Sequence, residues 1–357
     1  RFALIGAGQL GEMALRLWPE TVATPEFLLD SNRTGTLSGV EIRDLKTHAP
    51  VPGVTYLLSA FRVTAPFAKE VLATLGHADV ITVYDFFDQQ IPDVFSNGWR
   101  RLTPSEITQD HIRGMRKVFA DAESVQTYEA AAAWRYGREL RDDYPLRPDP
   151  TKYDLSQYGR AGMRYDYIYD CGAYNLSLLD SLKKAGISAA HIVAFEPDPQ
   201  SIALCHAKAD AWGETMNATV RIDPRALSDS AGLKPFVANG LMSARLVGVD
   251  ALDRAAVIAC QTCALSDDHE SAFGDACSPT TRMLIKLHVE GEEVPALRGA
   301  MPLLEAYQCD LLISLSHDEA SFLEVPAMLG ALGRHDLFLR SYSLFGEGLL
   351  LFARYRG

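Results

Sequence analysis

The stretch Tyr169-Asp-Cys-Gly-Ala-Tyr-Asn-Leu-Ser177 decides the reading of this chain. An apolar run ends on Ile168-Tyr169-Asp170, a tight turn carries Gly172, and apolar residues at helical spacing begin at Leu178 and run to Ala185. Strand, glycine turn and helix in that order open a helix N-terminus toward a ligand at the carboxyl edge of a sheet. The acid stands at the turn itself, which suits a ligand that brings a cation to the strand end. Asp170, Gly172, Ala173, Tyr174 and Asn175 are therefore read as cofactor-binding residues.

Working outward, Ile192 to Glu196 reads as the next strand and ends in Ala194-Phe-Glu-Pro-Asp198, with a helix over Gln200 to Trp212 between Pro199 and Gly213. That spacing puts the Glu196 carboxylate, with Pro197 and Asp198, where ribose hydroxyls lie in a Rossmann-like site. After a strand at Thr219 to Ile222, Ala226, Leu227 and Ser228 are expected to close over an adenine. Further strands are expected at Met283 to Val289, Leu311 to Ser314 and Leu349 to Ala353. Alternating strands and helices predict an α/β fold with a mostly parallel sheet.

The first hundred residues repeat the alternation, at Phe2 to Ile5, Gly11 to Trp18, Glu26 to Leu29, Val54 to Ala60, Pro66 to Leu75 and Val80 to Tyr84. Gly6-Ala-Gly8-Gln-Leu-Gly11 follows the first strand, and Asp30 ends the next. Gly6, Gly8, Gly11 and Asp30 thus form a second candidate nucleotide site, although the same glycines also serve plain helix-strand packing. From Pro104 the pattern turns helical, and Tyr144-Pro-Leu-Arg-Pro-Asp-Pro150 breaks it. The expected division is a Rossmann-like domain over 1–103, a helical connector over 104–150 and a second Rossmann-like domain over 151–357.

Composition narrows the partners. With 34 basic and 46 acidic residues among 357, the net charge is -12. Such a surface repels phosphate backbones and anionic lipid, and Arg100-Arg101 and Lys183-Lys184 are isolated basic pairs, so nucleic acid is not expected as a partner. Hydrophobic residues make up 48%, enough for packed cores, yet no apolar run reaches the length of a membrane span. The six cysteines all lie between Cys171 and Cys309 without scaffold-like spacing, and the chain opens without a basic, cleavable leader pattern. Reduced thiols and a cytoplasmic setting are expected. Cys260-Gln-Thr-Cys263 has the spacing of half a zinc site but no matching second pair, and no metal is expected.

Taken together, Asp170-Cys-Gly-Ala-Tyr, Ala194-Phe-Glu-Pro-Asp, Ala226-Leu-Ser-Asp-Ser-Ala-Gly232 and Ile285-Lys-Leu-His-Val-Glu-Gly-Glu-Glu293 with Leu297-Arg-Gly-Ala300 resemble the FkbM family of S-adenosylmethionine-dependent O-methyltransferases. The likeness covers roughly residues 165 to 355, and the upstream domain is similar to longer members. It implies a class I methyltransferase fold with a seven-stranded, mostly parallel sheet, S-adenosylmethionine as cofactor, and methylation of a hydroxyl on a sugar, polysaccharide precursor or related metabolite. The chain departs from the family at Leu176, where glycine is usual, and at His288, where aspartate is usual. No clear Thr-Leu-Asp segment stands near Thr262.

A hydroxyl acceptor gains from a base in reach, and His288, expected near a strand end at the cofactor edge, is the candidate. Glu290 and Glu293 are expected to orient His288 or the acceptor, with or without a divalent cation, or simply to favour a helix dipole. His317 is the fourth catalytic candidate, on an opposite wall or a surface loop. Tyr153, Tyr158, Tyr165, Tyr167 and Tyr169 either line a pocket or pack the sheet. Two other readings stay open: a non-catalytic nucleotide-sugar or partner-binding protein, and an NAD-dependent oxidoreductase using the first glycine turn, which lacks a Tyr-x-x-x-Lys pattern. A homodimer is compatible with each.

Overall fold

The structure, a computed structural model, describes residues 1–60, 67, 70–71, 74–76, 80–91, 106–137, 144–147, 151–238, 245–246, 257–343 and 348–357. Much of the helix expected at Pro66 to Leu75, the pair Arg100-Arg101 and the prolines at 148 and 150 lie outside the described residues. The chain divides into two compact units, residues 1–103, 130–146 and 341–348 in one and 104–129, 147–340 and 349–357 in the other. The stretch read as a connector is thus shared out between them.

In the first unit, β1 (Phe2–Ile5), α1 (Gln9–Arg16), β2 (Leu28–Asp30), β3 (Gly35–Leu37), β4 (Val40–Asp44), β5 (Thr55–Leu58), β6 (Val80–Thr82) and α2 (Val83–Gln90) follow in order. The sheet runs β3-β4-β2-β1-β5-β6. All its pairs are parallel except the β3/β4 hairpin, whose two-residue loop Ser38-Gly39 has positive φ at both positions, 51° and 81°. That loop matches the right-handed twist of the strands it joins.

The second unit contains α3 (Glu106–Met115) and the start of α4 (Ala122–Gly137), then β7 (Arg164–Cys171), α5 (Ser177–Lys184), β8 (Ser188–Phe195), α6 (Pro199–Met216) and β9 (Thr219–Asp223). A smaller sheet follows, from β10 (Ala226–Leu227), β11 (Gly232–Val237), β12 (Arg245–Leu246) and β13 (Val257–Cys263). The chain then returns through α7 (Leu265–Phe273), β14 (Arg282–Leu287), α8 (Glu293–Ala306), β15 (Gln308–Ser314), α9 (Glu319–Leu332), β16 (His335–Ser341) and β17 (Leu349–Tyr355). The large sheet has seven strands in the order β16-β17-β15-β14-β7-β8-β9.

Counted within the unit, that is a 3-2-1-4-5 doubly wound sheet with β17 inserted antiparallel beside β15. Ile168 to Cys171, Ile192 to Phe195, Met283 to Leu287 and Leu349 to Ala353 are all buried, the continuous runs expected of strands covered on both faces. Asp310 ties the amino end of the sheet: it accepts two bonds from Arg160, at 2.7 and 3.0 Å, one from the Tyr165 hydroxyl and one from the Tyr355 N–H. The order of strands reverses between β7 and β14, and the crevice at their carboxyl ends is where such sheets bind ligands.

The helix expected to stop at Gly213 runs on to Met216. Asp198 caps its start, Pro199 fills the first turn, and Asn217 ends it in the left-handed region at φ 49°. Among the described residues, no helix is long and apolar enough to cross a membrane.

Candidate active site

The carboxyl end of β7 leads into a turn with an unusual backbone. Gly172 has φ 76°, and a Cβ there would lie 1.9 Å from the His288 carbonyl oxygen, so only glycine lets the loop after β14 close against this turn. Its N–H and that of Ala173 both donate to the Phe195 carbonyl, which fastens the turn to β8. Tyr174 and Leu176 also have positive φ, 53° and 62°. Leu176 is the N-cap of α5 and is fully buried. A left-handed leucine carries a penalty of about 1–2 kcal/mol, which explains why glycine suits this position, but its burial outweighs that. Leu176→Gly is expected to lower stability by roughly 2 kcal/mol in urea unfolding rather than raise it. Tyr174 and Asn175 are half-buried and form the open side of the turn.

Asp170 is wholly buried and is the register partner of Lys286 on β14. The Lys286 ammonium donates to Asp170 Oδ1 at 2.9 Å and to the Gly172 carbonyl at 2.6 Å. Burial alone would lower the Lys286 pKa; the Asp170 carboxylate outweighs it and holds the lysine protonated. Asp170 Oδ2 has no hydrogen-bond partner among the described residues. Lys286 stands in the Ile285-to-Glu293 motif, and its role emerges from the pairing of β14 with β7. The signal was there: a lysine inside an otherwise apolar strand needs a buried acid beside it.

Glu196 lies just beyond β8, 6% exposed, and its two oxygens accept from the Tyr174 N–H at 2.7 Å and the Asp198 N–H at 2.9 Å. Burial raises its pKa against those two bonds. The carboxylate therefore links the glycine turn to the loop after β8, with half-buried Pro197 beside it. Asp198 is otherwise engaged than expected: at 1% exposure, its side chain caps α6 by accepting from Gln200 and Ser201. Ala226 and Leu227 are buried in β10, Ala226 packing with Phe236 and Cys260. Ser228, also buried, accepts from Lys234 at 2.8 Å and bonds Glu292 at 3.2 Å. These three hold the small sheet together. Cys260 and Cys263 lie three residues apart on β13 and so point to opposite faces, which prevents them from chelating one ion together.

The four catalytic candidates do converge. The β14 strand ends at Leu287, and His288 to Glu292 form the loop into α8. Glu293 organises that loop: Oε1 accepts the Val289 N–H at 2.9 Å, Oε2 the Gly291 N–H at 3.0 Å. Oε1 also lies 2.6 Å from His317 Nδ1. Glu290, with φ 54°, sits between the two imidazoles, its Oε1 3.2 Å from His317 Nε2 and 3.4 Å from His288 Nε2. Tyr153 contacts the other ring nitrogen of His288 at 3.3 Å. His317 is only 5% exposed, so a surface loop is not its setting.

Electrostatics divide the pair. Burial pushes the His288 pKa down to about 3, so this imidazole is neutral at physiological pH. Burial acts the same way on His317, but Glu290 and Glu293 outweigh it and raise its pKa well above the ordinary value. Glu290, whose desolvation is overcome by His317 and His288, is held ionised. Taken alone, His288 is a weak base, because a general base works best with a pKa near the operating pH.

In the first unit, the glycine turn has its own geometry. A Cβ on Gly6 would meet Ser59 O at 2.8 Å and one on Gly11 would meet Gly6 O at 2.2 Å, whereas among the described residues nothing lies within 4 Å of one on Gly8. Tight turn, open approach and close packing are the three roles of such glycines. Asp30 accepts from the Ala7 N–H at 2.8 Å and from Asn32 and Arg33 N–H groups, so it braces the turn.

Sheet order, inserted antiparallel strand and glycine turn define a doubly wound, mostly parallel α/β fold for the second unit. As a whole, the chain is similar to the crystal structure of the methyltransferase FkbM from Methylobacillus flagellatus, with a TM-score of 0.66 at 18% identity over 99% of this chain and 89% of that one. A methyltransferase from Podospora anserina with S-adenosylhomocysteine bound is much less alike, with a TM-score of 0.31 at 10% identity over 72% of this chain and 98% of that one. No protein-family profile and no curated protein sequence matches the chain.

Proposed function

We propose that the second unit binds S-adenosylmethionine along the carboxyl ends of β7 and β8 and methylates a hydroxyl group of a saccharide or related acceptor. The observation that carries this reading is the meeting of the Gly172 turn, Glu196 and the His288 loop where the order of the seven-stranded sheet reverses. The residues fit such a cofactor. Asp170 keeps an unpartnered oxygen beneath the turn, Tyr174 and Asn175 border it, and Glu196 retains acceptor capacity toward ribose hydroxyls beyond its two backbone bonds. When bound, S-adenosylmethionine supplies a methyl group made electrophilic by its sulfonium sulfur.

The chain's own part is to hold the reactants in line and away from water. The loop from His288 to Gly291, pinned by Glu293, forms a polar wall beside the turn for an acceptor hydroxyl. The hydroxyl and saccharide assignments are supported by the FkbM-like motifs. The first unit supports a ligand of its own, a nucleotide, at the approach over Gly8.

A thermal-shift series checks the cofactor. Saturating S-adenosylhomocysteine at about 100 times its dissociation constant is expected to stabilise the chain by roughly 2.7 kcal/mol, a rise of several degrees. Glu196→Gln, which keeps an acceptor but removes the charge, should weaken the affinity at least tenfold, which at the same ligand concentration lowers the stabilisation to about 1.4 kcal/mol or less. A rise with NAD and none with S-adenosylhomocysteine would sink the methyltransferase reading.

A further inference from the structure

We propose that His288, Glu290 and His317 form a binding site for a borderline first-row divalent metal ion such as Zn²⁺, Fe²⁺ or Co²⁺. Their nearest donor atoms, two imidazole nitrogens and one carboxylate oxygen, all lie within 4.8 Å of one another. Bonds of about 2.0–2.1 Å in a tetrahedral site set neighbouring donors about 3.4 Å apart. The two distances from Glu290 Oε1, 3.4 Å to His288 Nε2 and 3.2 Å to His317 Nε2, already have that value. The two rings have their centroids 4.9 Å apart, close to the separation of two imidazoles that share one tetrahedral ion.

The support around the three donors is that of a metal centre. A ligating histidine generally passes its other ring nitrogen to a carboxylate or another oxygen, which fixes the ring. His317 Nδ1 meets Glu293 at 2.6 Å, and His288 Nδ1 meets the Tyr153 hydroxyl at 3.3 Å. Glu293 also fixes the loop that carries His288 and Glu290 through the Val289 and Gly291 N–H groups. Two imidazoles and one carboxylate favour borderline ions over Mg²⁺ or Ca²⁺, which take oxygen donors. Side-chain exposure of 26% at His288 and 18% at Glu290, against 5% at His317, leaves one side of the centre open. A closed structural site would spend a fourth protein ligand there; an open position admits water or an acceptor hydroxyl. The role as an anchor for the acceptor hydroxyl rests on the methyltransferase reading, whereas the existence of the site does not.

The whole chain, stripped with a chelator and returned to chelator-free buffer, is titrated with Co²⁺ and Zn²⁺ by visible absorption and calorimetry. One equivalent is expected to bind at micromolar dissociation constant or tighter, with Mg²⁺ at least 100-fold weaker. His288→Ala and His317→Ala should each weaken binding at least 100-fold, and Glu293→Gln, at a positioning residue, 10- to 100-fold. Should His317→Ala fail to fold, His288→Ala and Glu290→Gln carry the same test, with circular dichroism as the check on folding. Binding that persists in His288→Ala and Glu290→Gln, absence of stoichiometric binding at 100-fold excess metal, or equal affinity for Mg²⁺ would overturn the proposal. Measuring the S-adenosylhomocysteine shift with chelator present separates the two ideas: either can fail while the other stands.

Discussion

Lys286→Met is expected to destabilise the second unit by about 3–5 kcal/mol, because it leaves the Asp170 carboxylate charged, buried and without its cation. Asp170 is 0% and Lys286 5% exposed, so water cannot replace the lost ammonium without opening the sheet. The effect should reach beyond stability. Lys286 also holds the Gly172 carbonyl at 2.6 Å, and freeing it loosens the turn that faces the cofactor. Urea unfolding should therefore move to lower midpoint, and the affinity for S-adenosylhomocysteine should fall with it. The double variant Asp170→Asn, Lys286→Met removes both charges and is expected to recover part of the stability. If Lys286→Met alone changes the midpoint by less than about 1 kcal/mol, the pair is not the buried node described above.

The second large effect is expected from Gly172→Ala. Its Cβ would sit 1.9 Å from the His288 carbonyl oxygen and 2.9 Å from the carbonyl carbon, both main-chain atoms, while φ is 76°. Neither the strained torsion nor the overlap can relax without separating the β7 turn from the β14 loop, so a loss of more than about 3 kcal/mol is expected. Gly8→Ala is the natural comparison. Among the described residues nothing lies within 4 Å of a Cβ there, and Gly8 has φ -82°, so about 1 kcal/mol or less should be lost, at the cap of α1. Equal effects at the two glycines would contradict the close approach of the two loops.

The central strands of the large sheet were legible because they are buried on both faces, and burial writes uninterrupted apolar runs such as Ile192 to Phe195 into the sequence, whereas β16, whose run is broken by His335, Asp336 and Arg340, was not expected. Their acidic and glycine endings fixed the turn at Gly172 and the carboxylate at Glu196. The small sheet was not legible. Pro235 interrupts β11, Leu233 is 68% exposed, and β10 and β12 have two residues each, so no alternating pattern survives. The β3/β4 hairpin was missed although Ser38-Gly39 carries a turn signal, because its strands are short and largely exposed.

The candidate site was legible as a list but not as an arrangement. Glu290 and Glu293 were assigned as flanking a turn into a helix and His317 as following a strand end, and nothing in spacing alone shows that His317 lies between those two glutamates. Only the parallel pairing of β14 with β15, from Arg282↔Gln308 to Leu287↔Ile313, brings those two carboxyl ends together. For the same reason the donors of a metal centre were hidden, since their separation in sequence follows no ligand repeat. Asp198 and Ser228 make bonds that spacing does not show, because a polar residue at a strand end serves a helix cap or a packing bond as readily as a ligand.

A crystal structure of the whole chain soaked with S-adenosylhomocysteine tests the site itself. The ligand is expected at the carboxyl ends of β7 and β8, with its ribose on Glu196 and its amino acid portion against the Gly172 turn. A ligand seated instead on the Gly6 turn of the first unit, or a β7 crevice that stays empty at saturating ligand, would contradict that placement and the methyltransferase reading built on it.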